Sequence, residues 1–283
     1  MVWKPAQVKF GISTFVNDGA VDAVSLARAI EERGFDSLGV AEHTHIPARR
    51  ESPYPAGGDL PEHYYRTLDP FVTLAAAAAV THSIELITGI ALLVERDPII
   101  TAKAAASVDL ISNGRLVFGV GAGWNIEELR NHGIDPKSRG ALLDERIEAV
   151  KALWTSEPAE YHGSFVDFGP SFSRPKPVRK PHPPLFIGGD SAATVRRVIR
   201  HEAGWLSNPL PVKRITQRVA EMRAGAGHDV PLALFASPVK PHYWQALDEL
   251  GFARVDLLLP TVPLDQTLRL LDGYADAVRQ YRK

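Results

Sequence analysis

Eight times along the chain a short apolar, β-branched run gives way to a segment with helical period, and that alternation leaves few folds open. "VKFGIST" precedes "VDAVSLARAIEERG", where Val24, Ala27 and Ile30 share helical spacing and Gly34 marks a stop. "FDSLGVAEH" leads into "LDPFVTLAAAAAVT", and "IELITGIALLV" into "DPIITAKAAASVDLISNG". "RLVFGVGAG" leads into a helix with Leu143, Ile147, Val150 and Trp154 on one stripe. Beyond residue 183, "PLFIGG", "WLSNP", "VPLALFASPV" and "ARVDLLLP" each precede another helix, the last with Leu271, Tyr274, Val278 and Tyr281 in register. Near-continuous apolar strands are those of a parallel sheet buried on both faces. Eight βα units close such a sheet into a barrel, whereas an open doubly wound sheet has fewer strands in two halves. The expectation is an α/β fold, a TIM (β/α)8 barrel forming one domain over residues 1–283.

Two stretches interrupt the period. Residues 44–67 form a long loop after the second strand, on the face where barrels carry their chemistry. Residues 155–183 follow the fourth βα unit as an insertion, with a hairpin around His162-Gly163 and then the proline-rich "PSFSRPKPVRKPHPP".

Composition narrows the partners. A net charge of −1 leaves no electrostatic footprint for nucleic acid or an anionic membrane surface. The opening "MVWKPAQVKFGIST" lacks a leader's apolar run, and "PFVTLAAAAAV" is too short to span a bilayer. The chain has no cysteine, so disulfides, thiolate metal sites and thiol nucleophiles are excluded. A cytoplasmic protein acting on a small molecule is expected.

Three strand ends carry candidate chemistry. Gly119, Gly121 and Gly123 do not match G-x-G-x-x-G, since Trp124 breaks the pattern and the segment is the fourth strand rather than the first. Such glycines either let a flat ligand approach the backbone or relieve crowding inside the barrel. "IGGDSA" offers Gly188, Gly189, Asp190 and Ser191 at a helix start, either an anion site or a plain cap. Arg196, Arg197 and Arg200 farther along read as a solvated face. His43 and His45 form H-x-H, but a metal site would want histidines or an aspartate at other strand ends, and these supply "IGGD" and "LSNP". Asp256 stands alone. No metal is expected, and a rim histidine suits hydrogen bonding or proton transfer.

"VAEHTHIP", "YYRTLDPFVTLAAAAAVT", "LITGIALLVERDPIITAKAAASVDLISNGRLVFGVGAGWN" and "PLFIGGDS" together resemble the bacterial luciferase-like monooxygenase superfamily, and more closely its branch dependent on coenzyme F420. The match runs in order from about residue 8 to 210. The resemblance implies a deazaflavin on the barrel's C-terminal face and hydride transfer between its C5 and a small organic substrate. It places His43 at the reactive ring with Glu42 beside it as the catalytic pair. Thr88, Gly89 and Ile90 would form a bulge under the ring, with a cis peptide at Gly89-Ile90. Gly121, Ala122, Gly123 and Trp124 would line the ring edge, and Gly188, Gly189, Asp190 and Ser191 would meet the phosphate. Where relatives that oxidise sugar phosphates carry a proton-handling glutamate after the fourth-strand glycines, this chain has Trp124-Asn125, with Glu127 and Glu128 just beyond. Arg174, Lys176, Arg179 and Lys180 either receive the cofactor's acidic tail or form a solvated basic linker. The alternatives on the same scaffold are an FMN-dependent monooxygenase and a flavin-binding barrel without turnover. Members of this superfamily pair through helices on the barrel's side, which implies a homodimer.

Overall fold

The computed structural model describes residues 7–283; residues 1–6, part of the stretch read for a leader, lie outside it. The chain runs β1 (Lys9–Thr14), α1 (Ala23–Glu32), β2 (Ser37–Val40), α2 (Pro70–Ala78), β3 (Glu85–Thr88) and the two-residue β4 (Ala91–Leu92). Then come α3 (Pro98–Ile111), β5 (Leu116–Gly121), α4 (Ile126–Asn131) and α5 (Arg139–Thr155). After a hairpin of β6 (Ala159–His162) and β7 (Asp167–Ser171), the alternation resumes with β8 (Leu185–Gly188), α6 (Ala192–Arg200), β9 (Gly204–Ser207) and α7 (Val212–Ala226). It ends with β10 (Leu232–Ser237), α8 (Pro241–Glu249), β11 (Arg254–Leu258) and α9 (Leu264–Tyr281). The order β3-β2-β1-β11-β10-β9-β8-β5, with β3 paired back to β5, closes an eight-stranded parallel barrel. The expected fold is the observed one.

Local signals explain the element starts. Asp69-Pro70 and Asp97-Pro98 open α2 and α3 alike: the aspartate accepts from backbone N–H groups of the first turn, and proline fills a position whose own N–H would go unused. The predicted stripe on α5 is buried, and the Trp154 indole donates to the Ala102 carbonyl at 2.9 Å, tying α5 to α3. In α1 the buried face is Leu26, Ala27, Ala29 and Ile30, with Val24 only half-buried at the helix start.

Charge rather than hydrocarbon plugs the lower half of the barrel. Arg254 is buried and ion-paired with Glu85, which also takes Lys9 and Arg179 at 3.3 Å each. Asp256 is fully buried, accepts from Ser37 Oγ at 2.6 Å, and is raised to about 6 by loss of solvent, against the pull of Arg254. Gly11 leaves the space those groups occupy, since a Cβ there would lie 1.8 Å from Ser37 Oγ.

Arg179 reaching Glu85 at the start of β3 puts the basic stretch at the barrel's N-terminal end. Asp109 accepts from the backbone N–H groups of Val178 and Arg179, Lys176 holds the carbonyls of Leu153 and Ser156, and Arg174 pairs with Glu157. The reading of Arg174, Lys176, Arg179 and Lys180 as a receptor for the cofactor's tail is therefore corrected: Lys176 and Arg179 staple the insertion to the underside, while Arg174 and Lys180 bond within it. Among the described residues no helix is long and apolar enough to cross a membrane.

Candidate active site

At the C-terminal ends of the strands lies a cavity of about 730 Å³. Phe15 follows β1, Glu42 and His43 follow β2, and Gly89 and Ile90 bridge β3 and β4. Ala122, Gly123 and Trp124 follow β5, while Gly188, Gly189, Asp190 and Ser191 run from β8 to α6. The long loop after β2 supplies Pro55 and Tyr64, whereas no residue of the insertion lines the cavity. The strand ends expected to meet are thus brought together, except that Thr88 and Gly121 stand outside the lining.

Those two residues act one layer down. The Gly89-Ile90 peptide is cis, as the resemblance implies. Thr88 Oγ1 donates to the Gly119 carbonyl at 2.7 Å, and a Cβ on Gly119 would meet the Thr88 carbonyl oxygen at 2.2 Å. A Cβ on Gly121 would lie 1.9 Å from Ile90 Cδ1, and one on Gly188 would lie 2.9 Å from Ile90 Cγ2. The glycines of β5 therefore make room for the neighbouring strand, and it is Ile90, seated over Gly121 and Gly188, that faces the cavity. Gly89 is held bare by the Phe235 ring, 2.1 Å from where its Cβ would be.

Glu42 lines the cavity, but its oxygens are committed: one accepts from the Leu92 N–H at 2.7 Å, the other from Arg96 Nε at 2.6 Å. It anchors β4 instead of sharing protons with His43, which corrects its pairing with that histidine. The carboxylate that reaches His43 is Glu128 of α4, fully buried, with Oε2 2.7 Å from His43 Nδ1. On the other side of the ring the Trp124 indole N–H donates to His43 Nε2 at 3.3 Å. A carboxylate only accepts and an indole N–H only donates, so the network assigns the hydrogen to Nδ1 and leaves Nε2 as the basic nitrogen facing the cavity. Trp124 also stands edge-on to His43, with ring centroids 5.7 Å apart, and the Arg50 guanidinium lies 5.4 Å from its ring centroid. It is part of the site wall. Sequence reading saw Glu128 without a partner. The signal that locates it is the start of α4: Asn125 accepts from the Glu128 N–H as the N-cap, with Glu127 and Glu128 in the first turn.

Behind Gly123 sits a second buried acid. Glu95 lies 3.3 Å from where a Gly123 Cβ would be, and neither carboxyl oxygen has a hydrogen-bond partner. Burial first, then the charges of Glu128 and Glu42, push it up to about 9, so it is a neutral acid at physiological pH.

At the far end of the cavity Gly189 has φ 106°, a conformation open to glycine, and the Trp205 indole donates to its carbonyl at 2.6 Å. Ser191 caps α6 by accepting from the Thr194 N–H at 3.1 Å. Asp190 is drawn away by Arg214 at 2.7 Å. The first turn of α6 thus presents backbone N–H groups to the cavity. Arg197, read as part of a solvated face, instead lines the cavity and pairs with Asp144 at 2.9 Å. Lys137 and Arg139, just before and at the start of α5, line the same end, and their side chains make no hydrogen bond or ion pair among the described residues. His45 and His43 do not converge: His45 lies outside the cavity lining, beside Thr44 and Asn131.

Residues 8–243 match the family described as luciferase-like monooxygenases. An uncharacterized protein of Mycobacterium tuberculosis is 42% identical over 238 residues, covering 82% of this chain and 84% of its own. The FMNH(2)-dependent dimethylsulfone monooxygenase of Pseudomonas putida is 32% identical over 145 residues, 49% of this chain and 40% of that protein. In fold, the coenzyme F420 dependent tetrahydromethanopterin reductase of Methanopyrus kandleri superposes with a TM-score of 0.72 at 18% identity, covering 98% of both chains. The chain belongs to the luciferase-like monooxygenase family.

Proposed function

We propose that this protein is a coenzyme F420-dependent oxidoreductase that transfers a hydride between the deazaflavin C5 and a small organic molecule. The observation that carries this reading is the unpaired couple Lys137 and Arg139 at the phosphate end of the cavity. FMN ends at its phosphate, whereas the deazaflavin continues into an acidic glutamyl tail, and two free cations beyond the phosphate cradle suit the longer anion. The turn into α6 fits a phosphate: Gly189 is held bare there, since a Cβ on it would lie 2.9 Å from Thr194 Oγ1 in the helix's first turn.

When bound, the deazaflavin supplies the two-electron chemistry. The protein's part is then to orient, exclude water and handle one proton. Ile90 would pack against the ring, and Phe15 and Tyr64 wall the cavity beside His43. His43 Nε2, released from Trp124, accepts the proton of a substrate hydroxyl as it is oxidised, or returns one to the oxygen of a carbonyl being reduced. We place this reaction in the cytoplasm.

The P. putida relative favours a second reading, an FMN-dependent monooxygenase on the same frame. Titration of the purified protein with coenzyme F420 and, separately, FMN, followed by fluorescence, decides between them. Tighter binding of F420, weakened several-fold by Lys137→Gln with Arg139→Gln while FMN binding stays unchanged, is the expected result. Preference for FMN overturns the proposal, and binding of neither removes the redox assignment.

The proposal extends to assembly. Val72 on α2 and Ile99, Ile100, Leu110 and Ile111 on α3 are exposed apolar residues on adjacent helices, a face suited to a second copy of the chain.

A further inference from the structure

Glu128 spans the wall of the cavity. Its Oε2 meets His43 on the inside, while its Oε1 accepts from the Thr44 N–H at 3.0 Å and from Thr44 Oγ1 at 3.4 Å. Thr44 is exposed and lies outside the cavity lining, as do His45 and His132. Thr44 Oγ1 lies 2.9 Å from His45 Nδ1 and 2.8 Å from His132 Nε2, and the Asn131 amide holds the other ring nitrogen of His45 at 2.9 Å. An unbroken series of hydrogen-bonding groups therefore links the basic nitrogen of the cavity to imidazoles in contact with water, through a carboxylate with no exposure of its own.

We propose that Glu128 is a proton conduit through this wall, exchanging protons between His43 and the surface cluster of Thr44, His45 and His132. The inference rests on the oxidoreductase reading for its purpose: with cofactor and substrate filling the cavity, the proton that accompanies each hydride needs an exit that does not cross them. In the oxidising direction His43 Nε2 takes the substrate's hydroxyl proton, and the Nδ1 proton passes to Glu128 Oε2. Rotation of the carboxyl group turns the acquired proton toward Thr44. Thr44 Oγ1 accepts it and gives its own proton to His132 Nε2, whose ring releases one to water; His45, with Nε2 accepting from the Asn131 amide, keeps its hydrogen on Nδ1 and donates to Thr44 Oγ1. One proton leaves the substrate and one reaches solvent, and no electron moves along this path. Reduction runs the same path inward.

Glu128 in turn acts on its neighbour: its charge, after burial, helps push the Glu95 carboxyl up. His132 is lowered by its partial burial and by His45, so it binds a transferred proton only weakly. The H-x-H pair gains a role without metal: the first histidine works inside the wall and the second outside it.

The test uses ligand-free protein labelled with nitrogen-15 in its histidines. The hydrogen between His43 Nδ1 and Glu128 is expected as a far-downfield proton resonance, identified by its loss in His43→Gln. Its exchange with water is then compared among wild type, Thr44→Val and Thr44→Ser. Valine keeps the backbone bond to Glu128 but removes the hydroxyl. It should slow exchange by about tenfold or more, since a proton must leave without a charge-assisted partner. Serine should restore the wild-type rate. Unchanged exchange in Thr44→Val, or failure of serine to restore it, overturns the conduit. Because no cofactor is present, a chain that failed to bind F420 would leave this measurement intact, so the two readings fail separately.

Discussion

Glu95 has no hydrogen-bond partner on either oxygen, and burial with two other carboxylates nearby favours its neutral form over the pull of Arg96, Arg146 and the His132 imidazole at 3.7 Å. The sign of its effect follows from the two states. The unfolded chain releases this proton near 4.5 and the folded protein only near 9, so stability from the retained proton is complete below the first value and erodes as pH climbs through the second. Glu95→Gln carries no such titration and has nearly the same shape. Its melting temperature should match wild type near pH 5 and exceed it increasingly toward pH 9, and the infrared band of a protonated carboxyl should disappear with the substitution. A flat difference across that range would show Glu95 ionised at neutral pH. Little of this was legible residue by residue. Glu128 and His43 are 85 positions apart, and only closure of β3 onto β5 brings their strand ends together. Glu42, adjacent to His43 in sequence, is held instead by Arg96 and the Leu92 N–H, which arrive from the segment after β3.

Among elements, the strands and long helices were legible because their apolar period is strong and their starts carry caps. The six-residue α4 was not, since it is too short to show a period, and it hides between β5 and α5. The purpose of the glycines in β5 also lay beyond the chain's local pattern, because what fills their space belongs to the neighbouring strand. Gly121 and Ile90 form a matched couple. Gly121→Ala alone should force Ile90 out of its seat and cost about 1–3 kcal/mol. Combined with Ile90→Ala it should cost much less than the two single effects added, because the clash has gone. Denaturant melts of the four proteins give the coupling directly. Additive effects would mean that Gly121 serves something other than Ile90.

At the scale of the whole molecule, labour is divided between the two ends of the barrel. The C-terminal end gathers the cavity, while the N-terminal end is sealed by Arg254, Glu85 and Asp256 and clasped by the insertion. The long loop after β2 was rightly suspected of walling the site, but the insertion follows a helix instead of a strand, and that alone sends it toward the opposite end. The apolar side formed by α2 and α3 carries the prediction for assembly. Val72→Lys with Ile100→Lys should convert a dimer to a monomer in light scattering while leaving the melting temperature within a few degrees. A monomeric wild type, or a double variant that stays dimeric, sinks the assignment of that face.

Closing the barrel through β1 and β11 also brings the two ends of the described chain side by side, with Arg282 Nη2 3.4 Å from the Val8 carbonyl and 3.2 Å from Asp36. The order in which the units are strung is thus nearly independent of where the string is cut. A short linker from residue 283 to residue 7, with new ends opened in the turn at residues 163–166, would give a circularly permuted barrel with every strand neighbour retained and its cavity untouched.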